Sequence, residues 1–404
     1  MRRCVITGVG PVTPIGIGKE EFWNALVNAK SNYSQITRFA LEPWDKIRIA
    51  AQINGFEPRK YISGQIVAAI EQQEAQNGGL SIYYAIAGAK LAIADAKLDL
   101  TAIDTARVGV IVGSGAADLG LLQRATTDFT RGVFSLANAH AGIIAKECGF
   151  HGLTQAVSGA CATGNLTVRS AYQEIASGTH DIIIAGAAES PIDIPLYLGS
   201  PNYRKEGVKG LSQANNGMFP FDQKRDGAML SEGAGILILE EREHALKRGA
   251  RIYAEVVGSG YCTDFGENLV RVTQRGYEEA MRMAMQSINR DGAIYVNAHG
   301  TATLLNDKME SQAIRAVFGE RTPVSSFKGT LGHPQAAASA IELIGCALVL
   351  YNGVIPASNL QEIAPDCAPL DYVKEKRAVA LDLVVKNAAG FNGVYATIVL
   401  ARHE

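Results

Sequence analysis

SGACATGNLTVRSAYQEIASGTHDIIIA, residues 158–185, carries a turn, a helix and a strand in one run. Its first eight residues are small and punctuated by Gly, as a tight turn requires. Residues 163–177 then show helical periodicity, and residues 181–185 form a short β-branched run closed by Gly186. Near-continuous apolar runs of this kind suit a sheet buried on both faces. Similar runs recur at residues 4–7, 108–112, 236–239, 294–297 and 396–400, with further helical periodicity at 81–96, 276–287 and 308–318. Strands alternating with helices predict an α/β fold with a mostly parallel sheet.

The chain has 404 residues, 47% of them hydrophobic and 19% charged, enough for a large core. At ~150 residues per domain this means two or three units, or one large duplicated fold. A charged helix and return strand at residues 242–253 put a midpoint near 250, with no Pro- or Ser-rich linker between the halves. Residues 190–218 and 357–371, rich in Pro, Gly and Asn, read as surface loops able to cover an entrance. A formal net charge of −2 argues against a nucleic-acid binder, which needs a basic face. Six scattered cysteines lack both a CxxC pair and zinc-ligand spacing, so neither a disulfide framework nor a zinc site is expected. The opening MRRCVITGVG reads as a strand and turn rather than a signal peptide. Residues 341–355, broken by Glu342, Gly345, Asn352 and Gly353, read as a core helix, since a span needs ~20 apolar residues. A soluble, cytosolic protein is expected.

Four motifs concentrate the reactive side chains. SGACATGN puts Cys161 where turn becomes helix, at the positive end of the helix dipole, which favours a thiolate. Gly159 and Gly164 leave room for a tight turn and a close substrate. Alone, a Cys between small residues is more often a core residue. YVNAHGTAT, residues 295–303, delivers His299 to the end of an apolar strand, where α/β proteins place ligand chemistry. FKGTLGHPQAAASAIELI, residues 327–344, sets Lys328 and His333 ahead of an Ala-rich helix carrying Glu342. AAGFNGVYATIVL, residues 388–400, is a Phe391 turn leading into a strand. One Cys and two His, each in a Gly-rich turn between elements, form a candidate catalytic set.

In this order the motifs resemble those of the β-ketoacyl-[acyl carrier protein] synthases, condensing enzymes of the thiolase-like fold. The resemblance runs from VITGVG at residues 5–10 to the last strand and includes FPFDQKRDGAMLSEGAGILILEE, residues 219–241. It implies two similar halves, 1–250 with the nucleophile and 251–404 with the histidines, forming a five-layered αβαβα core. Position by position, it implies that Cys161 carries the acyl group and that His299 and His333 form the decarboxylation site. Lys328 matches the lysine that orders that site, and Glu310 and Glu342 match its acidic companions. Thr301 and Thr303 match the threonines that bond the pantetheine arm. Phe391 matches the gating phenylalanine, whose backbone N–H helps form the oxyanion hole.

The residue types suit the chemistry. A sulfur nucleophile divides a condensation into two easier steps through an acyl-enzyme. Two neutral imidazoles can donate hydrogen bonds to the enolate left when malonyl thioester loses carbon dioxide. Backbone donors at an oxyanion are typically worth ~3 kcal/mol each. No metal or redox cofactor is implied; the substrates ride on the phosphopantetheine of acyl carrier protein. Two departures concern the gate and the helix behind the histidines: Asn392 interrupts the usual GFGG, and Pro334, Gln335 and Ala336 to Ala338 replace a Gly-containing run. They lean the reading from fatty-acid synthesis toward a specialised polyketide or polyene pathway. A thiolase would need a second Cys in a Gly-rich turn near the C-terminus, and none follows Cys367. A non-catalytic chain-length partner subunit normally lacks the Cys.

The resemblance further implies a homodimer, or a heterodimer with a chain-length-factor-like relative. It would pair along the segment from Thr154 through the Cys161 turn, with Gln155 and Val157 on a long apolar edge. Phe134 of the second copy would reach the acyl pocket. Arg59, Lys60, Arg124 and Arg131 are candidates for docking the carrier.

Overall fold

A computed structural model describes residues 2–71, 79–116, 133–193, 205–206, 210–289 and 291–403. The apolar runs become strands with a different core on each face. Along Ile182–Glu189, Ile182 and Ile184 enter one core while Ile183 and Ala185 enter another. Along Leu383–Gly390, Val384 points one way and Leu383 and Val385 the other. This is the period-two geometry of a strand covered on both sides.

The strands that matter to the site are β1 (Cys4–Thr13), β2 (Val108–Gly113), β3 (Thr154–Gln155), β4 (Ile182–Glu189), β5 (Gly233–Glu241) and β6 (Ala254–Thr263). They continue with β7 (Ile294–Asn297), β8 (Pro323–Ser325), β9 (Asp371–Tyr372), β10 (Leu383–Gly390) and β11 (Val394–Ala401). Their order is β9-β8-β7-β10-β11-β6-β1-β5-β4-β2-β3, and Gly16–Ile17 hangs on β1 as a twelfth strand. Within the sheet, among the described strands, the two halves join where Cys4–Ile6 pairs with Ala254–Val256. Outward from that seam both halves repeat one sequence of pairings: antiparallel, antiparallel, parallel, parallel.

The expected mostly parallel sheet is therefore corrected: six pairings in it are antiparallel and five are parallel. A strand buried on both faces is apolar whichever way its neighbours run, so direction left no mark on the hydrophobic pattern.

The helices that frame the site are α1 (Leu80–Asp95), α2 (Ala139–Cys148), α3 (Thr163–Ala176), α4 (Gln274–Ala284), α5 (Leu304–Phe318) and α6 (Ala338–Asn352). One core joins α1 and α2 to the outer face of β2, β4 and β5. A second joins α4 and α5 to the outer face of β7, β8 and β10. The largest lies between the halves and contains Val168 and Ile175 of α3 and Ile341, Ile344 and Leu348 of α6. The result is the expected α–β–α–β–α stack.

Helices α3 and α6 cross at Gly164, where an added Cβ would lie 2.1 Å from the Ala340 backbone nitrogen. Gly164 thus serves helix packing, not substrate approach. Gln335–Asn352 is long and apolar enough to cross a membrane by composition, but 83% of it is buried inside the fold, as a core helix. Burying an Ile or Val is worth ~1.5–3 kcal/mol, so a charge on a doubly covered strand needs a strong local reason. Lys386 on β10 is such a charge, with no exposed surface.

Candidate active site

Cys161 lies just before the start of α3, whose N-cap is Ala162. The preceding Ala160 has φ +50, a left-handed conformation that costs a non-Gly residue roughly 1–2 kcal/mol. Thr163 stabilises the turn: its hydroxyl accepts from Gly159 N–H at 2.9 Å and donates to Ala160 O at 2.7 Å. The β10–β11 turn lies against the same turn, because a Cβ on Gly390 would sit 2.3 Å from Gly159 O. Phe391, next along, is 46% exposed, and the positive φ of +65 at Asn392 makes this hairpin tight. Asn392 N–H donates to Leu269 O at 2.7 Å, so the turn is also tied to a neighbouring loop.

Burial pushes the Cys161 thiol up to about 12; Lys328 opposes the shift and Glu189 adds to it. A helix start offers at most ~2 kcal/mol, roughly a thirtyfold change in the ionisation constant. That is too little to ionise the group at pH 7, so the expected thiolate is replaced by a resting thiol. The thiol donates to Gln335 Oε1 at 3.5 Å. Gln335 is itself left-handed at φ +44 and begins the short turn Gln335–Ala337 after His333.

His299 follows β7, and its backbone is held by Glu310 of α5, which accepts from His299 N–H at 2.7 Å and Gly300 N–H at 2.8 Å. His333 is clamped to the 229–231 segment: its N–H donates to Met229 O at 2.7 Å, and its carbonyl accepts from Ser231 N–H. The two rings stand edge to face, centroids 5.7 Å apart. Burial first, then the nearby lysines, hold both imidazoles well below the usual histidine range, so both are neutral at pH 7.

Lys328 Nζ lies 3.5 Å from His299 Nδ1 and donates to Glu342 Oε1 and Oε2 at 2.7 and 2.9 Å. A second buried lysine shares that carboxylate: Lys386 Nζ is 2.9 Å from Glu342 Oε2 and donates to Asn387 O at 2.5 Å. A carboxylate shared by two ammonium groups is a buried network in which removing one member is costly. Thr301 and Thr303 bond one another through their hydroxyls at 3.0 Å beside His299.

The contacts thus tie Cys161 to Gln335, two residues past His333, set His333 against His299, and tie His299 to Lys328, Glu342 and Glu310. Sequence reasoning missed Lys386 and Glu189, and named Gln335 only as a departure after His333. Lys386 could have been found as the one charge inside the apolar run LVVKNAAG. Of the carrier-docking candidates, Arg59 and Lys60 are exposed on the turn Pro58–Lys60, where Lys60 pairs with Glu57 at 2.7 Å. Arg124 and Arg131 lie outside the described residues.

Two family models match the chain: the β-ketoacyl synthase N-terminal domain over residues 1–245 and its C-terminal domain over residues 253–361. The chain is 29% identical to 3-oxoacyl-[acyl-carrier-protein] synthase 2 of Synechocystis over 100% of its length and 99% of that relative's. It superposes on the ishigamide ketosynthase/chain length factor with TM-score 0.89 at 31% identity, covering both chains fully. A type II PKS ketosynthase in complex with its acyl-carrier protein, AntDE:AntF, gives TM-score 0.87 at 29% identity, again over both full chains.

Proposed function

The chain belongs to the β-ketoacyl synthase family, and from that premise we propose that it condenses an acyl thioester with malonyl carried on acyl carrier protein, releasing carbon dioxide. It is an acyltransferase in this reading, working in the cytoplasm in fatty-acid or specialised polyketide or polyene assembly. The halves 1–250 and 251–404 divide the work, nucleophile in the first and histidines in the second.

In the first half-reaction Cys161 sulfur attacks the acyl thioester. The bond to the carrier sulfur breaks, the acyl group passes to Cys161, and the thiol proton ends on the departing carrier thiol. A thioester is exchanged for a thioester, so a thiol with a high pKa is no thermodynamic obstacle. Backbone N–H groups at Cys161 and Phe391 face the developing oxyanion in this reading.

In the second half-reaction the malonyl carboxylate leaves as carbon dioxide, and the electron pair forms an enolate at the thioester oxygen. His299 and His333 donate to that oxygen as neutral imidazoles. The enolate carbon then attacks the acyl-Cys161 carbonyl, and sulfur departs and regains a proton. Lys328, ordered by Glu342, and Glu310, through the backbone, set the orientation of His299. Thr301 and Thr303 hold the pantetheine arm. These steps call for hydrogen-bond donors and a nucleophile, and for neither metal nor redox group.

The observation that carries the reading is the pair of neutral, buried imidazoles at 5.7 Å, one of them two residues from the amide that bonds the Cys161 thiol. The partners are acyl carrier protein and a second synthase-like subunit. Intact-mass spectrometry after incubation with acyl-carrier thioesters tests the proposal: the acyl mass should appear on the parent and be absent from Cys161→Ala. Loading that persists on Cys161→Ala, or moves to Cys148, refutes it.

A further inference from the structure

Lys386 sits in this centre but takes no part in the steps above. It stands on a strand whose other described side chains are apolar or amide, between Val385 and Asn387, with no solvent exposure. Burying an ammonium group costs several kcal/mol unless it is paired and its donors are used. Glu342 Oε2 at 2.9 Å supplies the charge and Asn387 O at 2.5 Å a second acceptor. Neighbouring packing fixes the strand: Asn165 of α3 donates through Nδ2 to Lys386 O at 3.0 Å and to Ala396 O at 2.9 Å. The lysine backbone is therefore bonded directly to the helix that begins at the nucleophile.

Glu342 already has a partner in Lys328, which reaches both its oxygens. For a simple ion pair one lysine suffices, and the second adds a positive charge to a closed site. We propose that Lys386 is a positioning residue for the decarboxylation half-reaction, sharing Glu342 with Lys328 so that the Lys328 ammonium stays directed at His299 and both imidazoles remain neutral donors. Without Lys386, Glu342 would be balanced by Lys328 alone and would draw it away from His299 Nδ1.

The charged and titratable groups around the imidazoles come from every packed element: Cys161 before α3, Glu310 of α5, Lys328 after β8, Glu342 of α6, Lys386 of β10 and each imidazole on the other. Lys328 and Lys386 both act on His299 and on His333 to disfavour protonation. Removing the Lys386 charge makes the imidazoles easier to protonate and moves the acid limb of the decarboxylation profile to higher pH.

The inference rests on the proposed role of the histidines, and the two are tested apart. If the parent releases carbon dioxide from malonyl-carrier and His299→Ala and His333→Ala do not, the underlying reading stands. The test of Lys386 is then the pH dependence of that release in Lys386→Gln and Lys386→Met, beside Lys386→Arg. As pH falls from 8 to 5, the two neutral variants should begin to lose rate at a higher pH than the parent does. Lys386→Arg should restore a parent-like limb. Decarboxylation should also fall by a larger factor than Cys161 loading. A neutral variant with the parent's profile, an equal loss in both half-reactions at every pH, or failure of both neutral variants to fold would make the lysine merely structural and overturn the proposal.

Discussion

The Cys161 thiol donates a hydrogen bond to Gln335 Oε1 at 3.5 Å, its one side-chain hydrogen bond among the described residues, and that bond favours the uncharged form. Burial acts in the same direction, pushing the group up to about 12. Alkylation of Cys161 by iodoacetamide in the free enzyme should therefore keep rising with pH through 9 without a plateau. Gln335→Ala removes the acceptor and admits water, and both changes lower the thiol's pKa. The variant should alkylate several-fold faster at pH 8, which peptide mapping can quantify. An unchanged rate would show that the contact does not govern the thiol.

Much of the site was legible because its parts are local. Cys161, His299 and His333 each stand in a short Gly-containing turn beside an apolar element, and such turns keep their signature in sequence. Lys386 was not legible for the opposite reason. Its partner Glu342 is 44 positions away on another element, and nothing in the run LVVKNAAG says whether its lysine points inward. Gln335 was noticed as a departure after His333, but its contact with Cys161 spans the two halves. Strand direction was lost because burial on both faces erases the alternation that would have reported it.

Buried neutral histidines make the fold sensitive to acid. Burial holds His140 down to about 4, where its Nε2 meets Ser81 Oγ at 3.0 Å, and keeps His299 and His333 well below their usual range. The unfolded chain binds these protons near pH 6.5, whereas the folded chain resists them, so stability is lost as pH falls below about 6.5. His140 alone should remove roughly 3 kcal/mol by pH 4, a large part of a typical 5–15 kcal/mol. Urea unfolding at pH 7.5, 6 and 5 should show a falling midpoint, shallower in His140→Gln. A midpoint independent of pH would contradict this.

The β10–β11 turn bears on the nucleophile through backbone, not side chain. An added Cβ at Gly390 would stand 2.3 Å from Gly159 O and 3.1 Å from Ala160 Cβ. Neither neighbour is a flexible side-chain tip, so Gly390→Ala must shift one turn against the other. Overpacking of this sort costs about 1–3 kcal/mol. Acyl loading should fall at least tenfold, with a far smaller loss in Phe391→Ala, whose side chain is half exposed. If Gly390→Ala loads at the parent rate, the two turns are not coupled.

The outer end of the sheet carries the last prediction. Strand β3 is only Thr154–Gln155, and it uses one side to pair in parallel with β2 at Val110 and Ile111. Both its side chains are exposed, so the expected long apolar edge is corrected to a short polar one. Val157 faces inward instead: it packs against the central core, and its carbonyl lies against Gly113, where a Cβ would meet it at 1.9 Å. Phe134 likewise packs against the core formed with α1 and α2 of its own chain. Among the described residues no strand pairs with the outer side of β3, six residues before Cys161, and a two-fold contact there would close the edge. Proline donates no N–H and is excluded from central strand positions, so Gln155→Pro should block such pairing. Light scattering should give a dimer mass for the parent, or for its co-expressed pair with a synthase-like relative, and a monomer mass for Gln155→Pro. Because the edge adjoins the nucleophile turn, the monomeric variant should also load acyl groups more slowly. A parent that is monomeric and fully active at micromolar concentration, alone and with such a relative, would refute the interface.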